Sequence, residues 1–171
     1  MSQSVKLKER WVTGASPIKG KVEQMFFGQY EHNLDAKGRI TIPANFREQT
    51  LDGVFVTEGF DHNLSVYSKR HFEAIAANLA KTSITNPASR ELRRKIFSNS
   101  AELSYDPAGR ILVPARLREM AQIKGSVVIV GIGDSFELWA VDAWKEQEMR
   151  LNDPNADENR WQAFDLTTRG E

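Results

Sequence analysis

Two arginines each follow an aspartate by four residues, Arg39 after Asp35 and Arg110 after Asp106, and each is preceded by a glycine, Gly38 or Gly109. Aspartate and glycine at this spacing make a tight turn. The carboxylate accepts backbone amides one or two residues on, and glycine supplies the positive φ. An arginine fixed on such a turn suits bidentate recognition of guanine O6 and N7. The same spacing equally serves an internal ion pair that stiffens the turn. Lys37 stands beside Arg39 and would add a phosphate contact that positions without specifying, whereas Ala108 occupies the equivalent place before Arg110. Arg47 and Arg118 fall further along, where a backbone contact beside the turn competes with a solvated face or a local pair with Glu48 or Glu119. The densest basic run, Arg90, Arg93, Arg94 and Lys95, reads as a solvated helix face rather than a nucleic-acid patch.

Catalytic patterns are weaker. Gly131-Ile132-Gly133 follows an apolar run but has Phe136 where a dinucleotide loop needs its third glycine. Gly133-Asp134-Ser135-Phe136 is similar to a hydrolase nucleophile block. That block's histidine lies far downstream, and His32, His62 and His71 all precede Ser135. The histidines lack metal-ligand spacing, so neither a metal site nor a cofactor is expected. Asp35 with Asp106 would make a two-carboxylate nuclease site only if their turns met. No catalytic residue is assigned.

The elements that position these side chains occur twice. Residues 35–48 and 106–119 share Asp, Gly, Arg, Ile, Pro, Ala, Arg and Glu at a constant offset of 71. Downstream, Gly53 with Gly125, Gly59 with Gly131, Tyr67 with Trp139 and Phe72 with Trp144 continue it at 72, and upstream Phe26 matches Phe97. Two modules follow, 25–81 and 96–151, joined by a connecting helix in 82–95. Each should hold a strand (26–34; 97–105), the turn, a short strand (39–42; 110–113) and a short helix opened by Pro43 or Pro114. Two apolar strands (54–57 and 64–67; 127–130 and 136–140) and a helix (68–80; 141–149) complete each module. Ser68 caps one helix, and Asn86-Pro87 opens another over 88–97. Phe60, Tyr67, Phe72, Trp139 and Trp144 read as core aromatics rather than base-stacking platforms. In the tail, 152–171, a short helix over 156–164 would be anchored by Trp161 and Phe164. Four short strands cannot close their own edges. The two modules are therefore expected to pair as an intramolecular pseudo-dimer, mainly β with short helices (α+β).

The tandem Asp-x-x-Gly-Arg turns followed by Ile-Pro or Val-Pro resemble the AbrB-type, swapped-hairpin DNA-binding domain. Two copies at this spacing, opening with Met25-Phe26-Phe27-Gly28 and containing Phe136-Glu137-Leu138-Trp139, resemble the MraZ family of bacterial transcriptional regulators. The resemblance covers about residues 25–165. It implies two swapped-hairpin half-barrels and a closed homo-oligomeric ring, octameric or larger. It implies binding to G-rich direct repeats in double-stranded DNA, mainly to repress the protein's own division and cell-wall operon. It makes Arg39 the principal DNA contact with Lys37 beside it, and leaves Asp35, Gly38, Asp106 and Gly109 to shape the turns. Arg110 and Arg47 are secondary candidates, and for Arg110 the alternative to a DNA contact is a role in the fold or a subunit interface. The alternative is a ring scaffold or antitoxin-like module whose acidic tail offers Trp161, Phe164 and Leu166 to a protein partner.

Composition frames these readings. The chain has 171 residues, with 23 Lys+Arg against 23 Asp+Glu, so bulk charge attracts neither nucleic acid nor an anionic membrane. Residues 1–24 carry five basic side chains against two acidic ones, a net +3, which leaves −3 for the rest. Binding would then rest on placement and multivalency. Met25 is read as the start of the fold, with 1–24 a flexible extension or the product of an upstream start site. The absence of cysteine excludes disulfides and thiol chemistry and is met most simply by a reducing cytoplasm, on the nucleoid for a DNA-binding protein. No apolar run approaches the roughly 18 residues of a membrane span.

Overall fold

A computed structural model describes residues 25–167, and the reading of residues 1–24 lies outside these. In chain order the elements are β1 (Gln29–Asn33), β2 (Arg39–Thr41), α1 (Ala44–Glu48), β3 (Val54–Glu58), β4 (Leu64–Ser68), α2 (Lys69–Ala80) and α3 (Pro87–Ser98). The second half repeats the order with β5 (Ser100–Leu103), β6 (Arg110–Leu112), α4 (Ala115–Met120), β7 (Ser126–Gly131), β8 (Phe136–Ala140) and α5 (Val141–Leu151). A 3-10 helix, Glu158–Trp161, follows. The fold is mixed α+β, with similar strand and helix order in both halves.

The halves are joined strand by strand. A six-stranded sheet runs β1-β7-β8-β4-β3-β5, and β2 with β6 forms a separate two-stranded ribbon. The first strand of each half pairs with the third strand of the other, β1 with β7 and β5 with β3. The two halves also meet through β4 and β8. Every strand of one half thus finds a partner that its own half does not supply, apart from the local hairpins β3–β4 and β7–β8.

Side-chain alternation builds the shared core. Ile40 and Ile111 lie opposite each other in the ribbon, and both are fully buried. Phe26 and Phe46 of the first half and Phe136 of the second form one aromatic cluster, with ring centroids 5.0–5.2 Å apart. Such pairs contribute about 0.5–1.5 kcal/mol each beyond the area they bury. On the other face Val128, Val130, Trp139 and Trp144 form a second cluster, and Phe55 stacks on Phe72. Ser68 accepts the amide of His71 at 3.2 Å and Asn86 that of Ala88 at 3.0 Å, which fixes the starts of α2 and α3.

Several expectations need correction. Pro43 and Pro114 are not the first helical residues. Their ψ of 140° keeps them extended at the N-cap, where their carbonyls accept the first helical amides. The first strand starts at Gln29, because Gly28 turns the chain at φ +87° and leaves Phe26 in an isolated bridge to Gly133. Its repeat partner Phe97 belongs to α3 and is 41% exposed. Helix α3 begins at the Asn86-Pro87 cap and runs through that position. Phe60 is not core either. It lies in the β3–β4 turn, 67% exposed, under the ammonium of Lys95. Trp161 and Phe164 do not anchor a tail helix to the rest of the chain. The helix shrinks to one 3-10 turn, held by Arg160 donating to the Leu151 carbonyl, and both rings are exposed.

Candidate nucleic-acid interface

The first turn is built from Asp35. Its Oδ1 accepts the amides of Lys37 at 2.9 Å and Arg39 at 2.8 Å. The backbone closes with the Gly38 amide on the Asp35 carbonyl and the Asp35 amide on the Arg39 carbonyl. Gly38 has φ +85°, a region costly for residues with a Cβ. Oδ2 remains for the Arg39 side chain, whose Nε donates to it at 2.6 Å. These bonds stabilise the ionised carboxylate and lower Asp35 from 3.8 to about 2. The Arg39 amide acts most, the Arg39 guanidinium and Lys37 amide add to it, and partial desolvation opposes them.

The second turn repeats this geometry. Asp106 Oδ1 accepts the Ala108 and Arg110 amides at 3.0 and 2.9 Å, and Arg110 Nε donates to Oδ2 at 2.8 Å. Asp106 is lowered as well, first by the Arg110 amide. The carboxylate reaches two and four residues along, further than the one or two expected from sequence.

Antiparallel pairing of β2 with β6 brings the turns together, but arginines engage both carboxylates, Arg39 and Arg110 at Asp35 and Arg110 at Asp106, so the pair does not form the two-carboxylate nuclease site. Arg39 lies opposite Leu112, and Thr41 opposite Arg110. With Ile40 and Ile111 turned into the core, these four residues share the opposite face. The Ile42 amide donates to the Gly109 carbonyl at 3.1 Å and the Val113 amide to the Gly38 carbonyl at 3.0 Å. Each short helix then sends an arginine over the other half's turn. Arg47 donates to the Ile42 carbonyl at 2.7 Å, and Arg118 to that of Val113 at 3.0 Å. A Cβ at Gly109 would stand 2.4 Å from Arg47 Nη1, and one at Gly38 would stand 2.6 Å from Arg118 Cζ. Arg47 therefore packs across the ribbon instead of lining a solvated helix face or pairing with Glu48.

The two turn arginines are not equivalent. Arg39 uses only Nε in its pair with Asp35, and its terminal nitrogens meet no acceptor among the described residues. Arg110 uses Nε on Asp106 and brings Nη1 to 3.6 Å from Asp35 Oδ2. Lys37 is exposed beside Arg39, with no ion pair among the described residues. Thr41 and Leu112, which complete the face, were not singled out in sequence; the readable signal is their two-residue alternation with Ile40 and Ile111.

Other candidates are engaged elsewhere. Arg90 and Arg93 donate to the carbonyls of Ile84 and Thr82, and Lys95 pairs with Glu58 at 3.0 Å. They tie α3 to its surroundings. A Cβ at Gly131 would lie 2.3 Å from the Phe27 amide nitrogen, so this glycine admits backbone, not a phosphate. Ser135 is buried and donates to the carboxylate of Asp134 at 3.3 Å. His71 reaches from α2 to the Asp134 carbonyl at 2.9 Å. Among the described residues no group of three or more His, Asp or Glu could hold a metal ion, and no helix is long and apolar enough to cross a membrane.

Residues 25–95 and 96–166 each match the family described as "MraZ protein, putative antitoxin-like". The chain is 40% identical over 121 residues to the "Transcriptional regulator MraZ" of Herpetosiphon aurantiacus, covering 71% of this chain and 85% of that protein. It is 41% identical to the protein of that name in Carboxydothermus hydrogenoformans, covering 70% and 84% of the two chains. With the Mycoplasmoides gallisepticum protein it shares 37% identity, covering 78% and 91%. Carrying two tandem domains of this kind, the chain belongs to the MraZ family, a family of transcriptional regulators and not of enzymes.

Proposed function

We propose that the protein is a sequence-specific DNA-binding regulator. It binds G-rich direct repeats in its own promoter as a closed homo-oligomeric ring, octameric or larger, and acts mainly as a repressor of its division and cell-wall operon. The single observation that carries this reading is Arg39: a guanidinium held by Nε on a rigid turn, with both terminal nitrogens free of acceptors among the described residues and Lys37 beside it. Paired terminal nitrogens match guanine O6 and N7, and Lys37 suits a phosphate. Arg110, engaged with two carboxylates, and Arg47, engaged with the Ile42 carbonyl, contribute mainly by position and by positive potential.

The exchanged pairing of first and third strands supports an AbrB-like arrangement, two swapped-hairpin halves closed on each other. The halves would be 25–81 and 96–151, joined by 82–95 and followed by the tail at 152–171. In a ring, several ribbons meet successive repeats, and linkage raises the effective concentration of each next contact. A cytoplasmic, nucleoid-associated location follows from this reading.

A second reading, a scaffold or antitoxin-like module, is supported by the exposed Trp161, Phe164 and Leu166. A gel shift against the DNA upstream of the protein's own reading frame separates the two. Regulation requires a salt-dependent shift that scrambled DNA does not give. Co-purification of a stoichiometric protein partner without any shift favours the second reading.

A further inference from the structure

The ribbon's outer face carries one apolar side chain where its pseudo-symmetry would place a polar one. Leu112 occupies the position in β6 that Thr41 occupies in β2, and it is 52% exposed. Single exposed apolar residues are ordinary on a surface. What distinguishes Leu112 is its place directly across the strand pair from Arg39, beside the turn that carries Lys37. The hydroxyl-bearing Thr41 instead faces Arg110, the arginine engaged with two carboxylates. The guanidinium held only by Nε, the lysine and the exposed leucine thus gather at one end of the ribbon.

Directly opposite residues on one face have Cβ atoms about 4.5–5.5 Å apart, while successive base pairs rise by about 3.4 Å. A group opposite the arginine therefore lies about one to two base steps from whatever the arginine reads. In the major groove the apolar feature of a base edge is the thymine C5-methyl. We infer that Leu112 is a specificity-determining residue that packs on the C5-methyl of a thymine adjacent to the guanine read by Arg39. This rests on the proposed DNA-binding reading. It makes the ribbon polar in its attraction to DNA yet selective for a guanine–thymine step. It also makes the two halves unequal by construction: one end of the ribbon reads a donor–acceptor edge and a methyl, and the other supports.

The test uses the full chain and two duplexes of G-rich direct repeats with thymidine flanking each guanine run. In one duplex deoxyuridine replaces every thymidine, which removes the methyl and leaves base pairing intact. Wild type, Leu112→Ser and Arg39→Ala are titrated against both by fluorescence anisotropy, with thermal melting to confirm folding. The expected result is that wild type binds the deoxyuridine duplex about fourfold more weakly for each methyl contacted, the ratio that burial of one methylene-sized group gives. Leu112→Ser is expected to bind both duplexes equally, at the weaker level. The inference is overturned if wild type does not distinguish the duplexes, or if Leu112→Ser loses as much as wild type on methyl removal. A wild type that binds neither duplex overturns the DNA-binding reading itself. An Arg39→Ala that binds like wild type overturns the guanine contact, and with it the assigned neighbour.

Discussion

Arg110 in the second half carries its Nη1 to 3.6 Å from Asp35 Oδ2 in the first, whereas Arg39 and Asp106 form no ion pair among the described residues. Asp35 is therefore shared by two guanidinium groups and Asp106 is served by one. Pseudo-symmetric turns with the same sequence pattern acquire different electrostatic roles. Arg39 can leave Asp35 for another acceptor without stranding the carboxylate, because Arg110 still faces it and the Lys37 and Arg39 amides still bind it.

The fold should accordingly survive loss of Arg39. The Arg39 and Asp35 side chains are each about 30% exposed, and partly exposed pairs of this kind contribute little. Arg39→Ala is expected to lower the melting temperature by no more than about 3 °C. Differential scanning calorimetry checks this. A collapse of the transition would mean that the arginine is structural.

Acid should unfasten both turns. Asp35 is ordinarily near 3.8 and lies near 2 in the folded chain, and Asp106 is shifted in the same direction. A carboxyl lowered by folding adds stability above its unfolded value and loses it as pH falls through its folded value. Urea midpoints should therefore decline between about pH 4 and pH 2, and Asp35→Asn should flatten part of that decline. An unchanged slope in the variant would show that other carboxyls govern it.

Glycine is required at the turn for its backbone conformation more than for the space it leaves. Gly38→Ala meets a φ of +85° and the guanidinium of Arg118. The arginine end can move aside, but the backbone cannot, so a loss of about 1–2 kcal/mol is expected. Adding Arg118→Ala should not restore it. Chemical denaturation of the single and double variants separates the two causes.

Phe46 packs on Phe26 of its own half and Phe136 of the other, and it is fully buried. Phe46→Ala should cost about 3–5 kcal/mol. Unfolding should remain a single transition in calorimetry, because the cluster belongs to both halves. Two separated transitions would contradict a shared core.

The repeat was legible because turn chemistry is local. Asp35, Gly38, Asp106 and Gly109 announce the same backbone in both halves, and the caps at Ser68 and Asn86 act within a few residues. The exposure of Phe60 and Phe97 was not legible, since a repeat match aligns positions and does not say which are covered. Phe97 falls at the end of a helix whose start is set at Asn86, ten residues upstream of where the repeat pattern resumes. The crossing of Arg47 onto Gly109 and Arg118 onto Gly38 depends on strand exchange between halves, which no local spacing reports. The shared Asp35 was hidden for the same reason. An i,i+4 pair can be read within one turn, but a third partner 75 residues away cannot.

The proposed function centres on the reading of guanine by the two terminal nitrogens of Arg39, whose Nε stays on Asp35. Its most direct measurement is the affinity of Arg39→Ala, relative to wild type, for a G-rich direct-repeat duplex and for a scrambled duplex at one fixed salt concentration. A lost bidentate contact is worth about 1–3 kcal/mol per site, multiplied across linked sites. Specific affinity should therefore fall by tenfold or more to the level of scrambled DNA, while the oligomer persists by size-exclusion light scattering. Wild-type affinity and discrimination in the variant would contradict the account.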